Sequence, residues 1–174
     1  MPDSFLLRDW QNFYMLAGTA SATLIGLMFV AISFGARLVP TQTESSVRAF
    51  VTPTVIHFGI VLILSSFTLM PAYSNVWLAI MLGAVGGVGT WYCLGILRQM
   101  MQLHRVKEEG LHPTHWTWNL ILPMTAYLLI LGVGLGLLLN LSWLLNGLAL
   151  AVICLIIVGL HNAFDLMMWI ARQV

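Results

Sequence analysis

Charged residues are scarce in this chain of 174 residues, and their scarcity argues against a water-soluble domain. Asp, Glu, Lys and Arg together make up 7% of the sequence, whereas soluble domains carry about 25%. Only seven residues are Lys or Arg, and the net charge is +1. A nucleic-acid-binding protein would show a basic patch or stripe. We therefore expect no nucleic-acid partner.

The sequence also lacks the residue patterns of common enzymes. Its two cysteines, Cys93 and Cys154, lie inside apolar segments, which argues against a disulfide framework. No nucleophile elbow, paired carboxylates or cysteine–histidine pair is present, and the glycine-rich stretch 83–89 has no lysine partner for a phosphate. We expect a protein without enzymatic activity and predict no particular cofactor from these patterns.

Long apolar runs dominate what is present. Hydrophobic residues make up 60% of the chain, and a membrane-spanning helix needs about 20 mostly apolar residues. The sequence predicts an all-α, five-helix transmembrane bundle that forms a single domain over residues 1–174. Pro53 would lie near the start of the second span, and Pro123 is expected to bend the fourth. The five predicted spans cover about residues 11–36, 47–70, 76–103, 118–139 and 143–172.

The basic residues predict the orientation of the spans. Five crossings place the two termini on opposite sides of the membrane. With the N-terminus outside and the C-terminus in the cytoplasm, the outer side holds only Arg8, as the positive-inside rule requires. The inner side then holds Arg37, Arg48, Arg98, Arg105, Lys107 and Arg172.

Small residues recur at intervals of four within the predicted spans. Such spacing lets the backbones of membrane helices approach closely. These residues could pack the bundle internally, or join this chain to a second copy or to another membrane protein. The candidate packing residues are Gly18, Ala22, Gly26, Gly83, Gly87, Gly132 and Gly136.

Ionisable residues inside membrane spans are costly and suggest a functional site. His57 lies in the second span, and His161 and Asp165 lie in the fifth. His161 and Asp165 are four residues apart and Asn162 and Asp165 three apart, so each pair shares a helix face. The two histidines are expected at a similar depth in the inner leaflet. We predict that His57, His161, Asn162 and Asp165 form a polar layer in the cytoplasmic half that handles protons or a cation.

Other interpretations of these residues stay open. Asp165 could simply be hydrated near the headgroups, and each histidine could bond to a neighbouring helix. His57, His161 and Asp165 could bind a metal ion, or the two histidines a haem. In the predicted cytoplasmic loop, His112 and His115 could bind a metal or sense pH, but a solvated loop of mixed charge is the favoured explanation.

The first predicted helix resembles a known group of proteins. The residues concerned are FYMLAGTASA at positions 13–22 and GLMFVAIS at positions 26–33. They are similar to the first helix of a group of small uncharacterised bacterial integral membrane proteins. The resemblance implies a location in the bacterial inner membrane and no particular activity.

Three functions are compatible with the sequence. A homo-oligomeric channel or transport-related component is favoured, because one small bundle has little room for a solute cavity and the polar layer could handle ions. An accessory or scaffolding subunit that binds another membrane protein through its glycines is the second. A metal- or haem-binding redox protein is the third.

Overall fold

The computed structural model describes residues 10–35, 44–70, 74–106, 116–139 and 141–171, and within these ranges the chain is helical and has no strand. A π-helical turn, Thr117–Ile121, leads into the fourth helix, and a 3-10 turn, Ser142–Leu144, leads into the fifth. The prediction of an all-α protein with five helices is therefore confirmed. The helices are α1 Gln11–Gly35, α2 Glu44–Leu69, α3 Asn75–Val106, α4 Leu122–Leu138 and α5 Leu145–Ala171.

Four of the helices are long and apolar enough to cross a membrane. The segments that qualify are Gln11–Ser33, Asn75–Arg98, Thr117–Leu138 and Leu145–Met168. In α2, the apolar segment among the described residues is Pro53–Leu69, whose 17 residues span about 25 Å, less than the roughly 30 Å of a hydrocarbon core. Crossing by α2 and the orientation of the termini stay predictions.

The outward faces of these helices are apolar. Leu16, Val88 and Trp91 are each about 70% exposed, and large apolar side chains are exposed along α1, α3, α4 and α5. Contiguous apolar surface of this kind is rare on soluble monomers, whereas lipid tails cover it in a bilayer. Helix length and surface chemistry together identify a membrane protein with several spans.

The described helices group into two compact units. The first, here called the α3–α4 unit, contains α3, α4 and the part of α5 up to Cys154. The second, the α1–α2 unit, contains α1, α2 and α5 from Leu155 onward.

Glycines bring the backbones of α3 and α4 into contact in the α3–α4 unit. A Cβ atom added to Gly86 would lie 2.5 Å from the backbone nitrogen of Leu131, and one added to Gly134 would lie 2.9 Å from that of Gly83. Gly89 faces the ring of Tyr127. Close packing of this kind is how helices associate in lipid, where no hydrophobic drive acts between them.

The two prolines named above lie at different points of their helices. Pro123 has no N–H to donate to the preceding turn. The irregularity lies directly before it, where the N–H of Leu122 reaches the carbonyl of Thr117 in the π-helical turn. Pro53 lies in the interior of α2, because the helix begins at Glu44, earlier than predicted.

In the α1–α2 unit, α1 and α2 run antiparallel. Gly18, early in α1, packs against Ser65, late in α2, whereas Met28 shares a core cluster with Phe58. Leu166 of α5 completes the cluster, with Ile25 and Val55 packed around it. The unit is thus a three-helix arrangement around a small apolar core.

Candidate polar site

One face of α2 is buried and carries both polar and apolar residues. Thr54 is fully buried and His57 is 2% exposed. Phe58, Val61 and Leu64 are fully buried at the following positions of the same face, as the helical repeat of three to four residues requires. The protein therefore shields the His57 side chain from its surroundings.

The second half of α5 presents a matching buried face. Leu155 and Val158 are fully buried, Asn162 is 6% exposed and Leu166 is 1% exposed. Asn162 is a polar residue within an otherwise apolar face. Its side-chain amide has both a donor and an acceptor, so Asn162 can form a hydrogen bond with either a donor or an acceptor in a site.

These two buried faces meet at Phe58 and Gly159. A Cβ added to Gly159 would lie 2.7 Å from Cε1 of Phe58, so the ring packs directly on the α5 backbone. Phe58 and Leu166 also belong to one core cluster. His57 directly precedes Phe58, and Asn162 lies between Gly159 and Leu166. The contact therefore holds the helix segments that carry His57 and Asn162 beside each other.

His161 and Asp165 form the pair predicted from their spacing. Nε2 of His161 lies 3.4 Å from Oδ2 of Asp165, and the side chains are 30% and 48% exposed, respectively. The two residues lie at the edge of the buried face, each directly before a buried residue, Asn162 or Leu166. The pair is an ion pair when the imidazole is protonated.

Several hydroxyls of the described helices form hydrogen bonds within their own helices. Ser33 donates to the carbonyl of Phe29, Thr90 to that of Gly86 and Thr125 to that of Leu122. Such bonds to the preceding turn are common for Ser and Thr in helices. The candidate site therefore comprises His57, Asn162, His161 and Asp165, with Thr54 one turn from His57.

The structure also bears on the predicted metal ligands. Among the described residues, no group of three or more His, Cys, Asp or Glu side chains could hold a metal ion. His57, His161 and Asp165 are thus not assembled as a three-ligand set, because His57 lies on the buried face of α2 while the other two lie at the edge of α5. A haem between the histidines stays a prediction, and His112 and His115 lie outside the described residues.

The small residues proposed for packing lie in different environments. Gly18 is buried against Ser65, and Gly136 faces the side chain of Leu144. A Cβ added to Gly134 would lie 2.9 Å from the backbone nitrogen of Gly83, but a Cβ at Gly83 itself would have no neighbour within 4 Å among the described residues. By contrast, Ala22 is exposed. A Cβ at Gly26, Gly87 or Gly132 would have no neighbour within 4 Å among the described residues.

Several closely packed glycines were not found from the sequence. Gly86 and Gly89 are three positions apart in the sequence. Gly134 and Gly159 have no glycine four positions away. A search for pairs of glycines four residues apart finds none of these four, although Ala163 follows Gly159 by four residues. In comparisons with known proteins, no family model, no curated protein and no solved structure matches this chain.

Proposed function

We propose that this membrane protein forms homo-oligomers that conduct protons or a small cation through a polar layer made by His57, Asn162, His161 and Asp165. The observation that carries the proposal is the pairing of His161 with Asp165 beside a buried face that also carries Asn162. Ionisable side chains in a membrane helix are usually retained for a proton or ion pathway.

The chemistry of the four residues suits transfer of a positive charge. A protonated imidazole carries a positive charge, which an adjacent carboxylate stabilises. Asn162 would orient either group or water through its amide. The six basic residues assigned to the inner side support a location of the layer in the cytoplasmic half, with the N-terminus outside. A bacterial inner membrane is the proposed location.

The exposed small residues support assembly with a second chain. Ala22 is exposed on α1, and Gly26, four residues later, has open space around its Cβ position. A small-residue face of this spacing allows close approach of another helix. Such a face equally suits an accessory subunit that binds a different membrane protein, which is the second candidate function.

Flux through purified protein in liposomes tests the proposal. We expect an imposed pH or potential gradient to drive proton or cation flux in the wild type, and His161→Ala to reduce it to the level of empty liposomes. Asn146→Ala is the matched control, because Asn146 is an exposed polar residue near the other end of α5. Its flux should equal that of the wild type.

Two results would reject the proposal. Wild-type flux no greater than that of empty liposomes would favour the accessory function, and so would full flux in His161→Ala. Native mass measured in detergent tests the oligomer independently. A monomer there, or a stable complex with a different membrane protein purified from the source, would also favour the accessory function.

A further inference from the structure

Two buried hydroxyls, those of Ser21 and Ser65, differ from the other described hydroxyls of the helices. Ser21 is fully buried on α1 and Ser65 is 2% exposed on α2. Neither side-chain oxygen has a hydrogen-bond partner among the residues that the structure describes. Hydroxyls that donate to carbonyls of their own helices include Thr19, Thr23, Ser33, Ser66, Thr68, Thr90 and Thr125.

Both hydroxyls belong to the packed interface of α1 and α2. Oγ of Ser65 lies 3.4 Å from the position that a Cβ of Gly18 would take, so this hydroxyl is directed at α1. Ser21 follows Gly18 by three residues, about 4.5 Å along the axis, on the buried face that also includes Ala17. The antiparallel arrangement of the helices therefore places the two hydroxyls within about one helical turn of each other.

An unpaired hydroxyl in such an interface carries its full desolvation cost. Proteins normally satisfy orphaned buried groups with an ordered water molecule, which makes about three hydrogen bonds. A metal cation is disfavoured here, because the two groups are neutral. Among the side chains that the structure describes, the only carboxylate is that of Asp165 on α5.

We infer that Ser21 and Ser65 bind a water molecule that links α1 to α2. The water donates a hydrogen bond to one hydroxyl oxygen and accepts one from the other hydroxyl. Gly18 has no side chain, and a Cβ there would lie 2.9 Å from that of Ser65, so Ser65 packs directly against the backbone of α1. The site is separate from the polar layer: His57 lies eight residues from Ser65, about 12 Å along α2, with the fully buried Val61 between them.

Magnetic resonance of the methyl-labelled protein in detergent or nanodiscs tests this inference. Ala17 is 5% exposed and lies one turn from Ser21, so its methyl protons are shielded from bulk water. We expect a cross-peak between the Ala17 methyl group and a long-lived water in the wild type. The cross-peak should be lost in the double variant Ser21→Ala/Ser65→Ala.

Ser66→Ala is the matched control, because this neighbouring serine is exposed and donates to the carbonyl of Leu62 at 2.8 Å. The Ala17–water cross-peak should persist in this variant. Unchanged methyl spectra elsewhere would show that the double variant is folded. If it does not fold, each single variant should weaken the cross-peak at least twofold.

Two outcomes would overturn the inference. One is the absence of the Ala17–water cross-peak in the wild type. The other is its persistence in the double variant. Neither outcome depends on flux, so the proposed function and this water site stand or fall separately.

Discussion

The ring of Phe58 packs directly on the backbone of Gly159, with Cε1 of the ring 2.7 Å from where a Cβ would be. This contact joins the buried face of α2 to that of α5 and places the segments carrying His57 and Asn162 side by side. A substitution at Gly159 therefore tests this contact directly.

We predict that Gly159→Ala destabilises the protein. The new methyl group would force the fully buried Phe58 ring to shift, and overpacking of this kind typically costs about 1–3 kcal/mol. Unfolding by SDS titration in mixed micelles measures the change. Adding Phe58→Leu, which removes the ring atoms that meet the methyl group, should recover part of the loss.

Gly26→Ala is the control for this variant, since a Cβ there would have no neighbour within 4 Å among the described residues. It should leave stability unchanged or raise it slightly, because alanine favours helix over glycine. Equal destabilisation by the two substitutions would contradict the packing of Phe58 on Gly159.

Two adjacent glycines in α3 provide an internal comparison. Gly86→Ala would place a Cβ 2.5 Å from the backbone nitrogen of Leu131, which cannot move without displacing α4. We expect a loss of roughly 1–3 kcal/mol. Gly87→Ala meets nothing within 4 Å and should stabilise α3 by up to about 1 kcal/mol. Thermal unfolding of the two variants in the same detergent measures the difference, and a reversed order would contradict the contact of Gly86 with α4.

Much of the fold could be predicted because the signals are local. Apolar runs define the helices, and α1 at Gln11–Gly35 and α5 at Leu145–Ala171 end within two residues of the predicted spans. His161 lies close to Asp165 because residues four apart in one helix are neighbours, which is also a local signal. Each of these features depends only on residues close together in the sequence.

Contacts between helices could not be predicted, because nearly every face of the helices is apolar. Periodicity then gives no information on which face is buried. Gly86 and Gly87 are adjacent and chemically identical, yet only the first meets a backbone. The difference depends on how α3 is rotated against α4. Likewise, nothing local to Ser65 indicates that its hydroxyl points at Gly18 while that of Ser66 bonds its own helix.

Asp165→Asn should separate transport from stability. The His161–Asp165 pair is 30% and 48% exposed, and exposed pairs four residues apart in a helix contribute only about 0.3–0.5 kcal/mol. We therefore expect unfolding in SDS to change by less than about 1 kcal/mol. In the same preparation, flux in liposomes should fall at least tenfold, because asparagine cannot stabilise a protonated imidazole. Wild-type flux in Asp165→Asn would remove the carboxylate from the proposed pathway.

Labelling of single cysteines should decide whether α2 crosses the membrane. Gln11 and Ser74 are exposed residues at the start of α1 and just before α3, and Thr117 is exposed at the start of the π-helical turn. In a background lacking Cys93 and Cys154, we expect Gln11→Cys and Ser74→Cys to react with an impermeant maleimide added outside intact spheroplasts. Thr117→Cys should react only after the membrane is opened.

The comparison of Gln11→Cys with Ser74→Cys is the decisive one, because α1 and α2 lie between these two positions. If both helices cross, the two cysteines are on the same side. If the 17-residue segment Pro53–Leu69 is too short to cross, they are on opposite sides, and only one reacts from outside. With both on the outside, the inner side holds the six basic residues other than Arg8, as the positive-inside rule requires. Labelling of Thr117→Cys alone from outside would reverse the orientation and place the polar layer in the outer half.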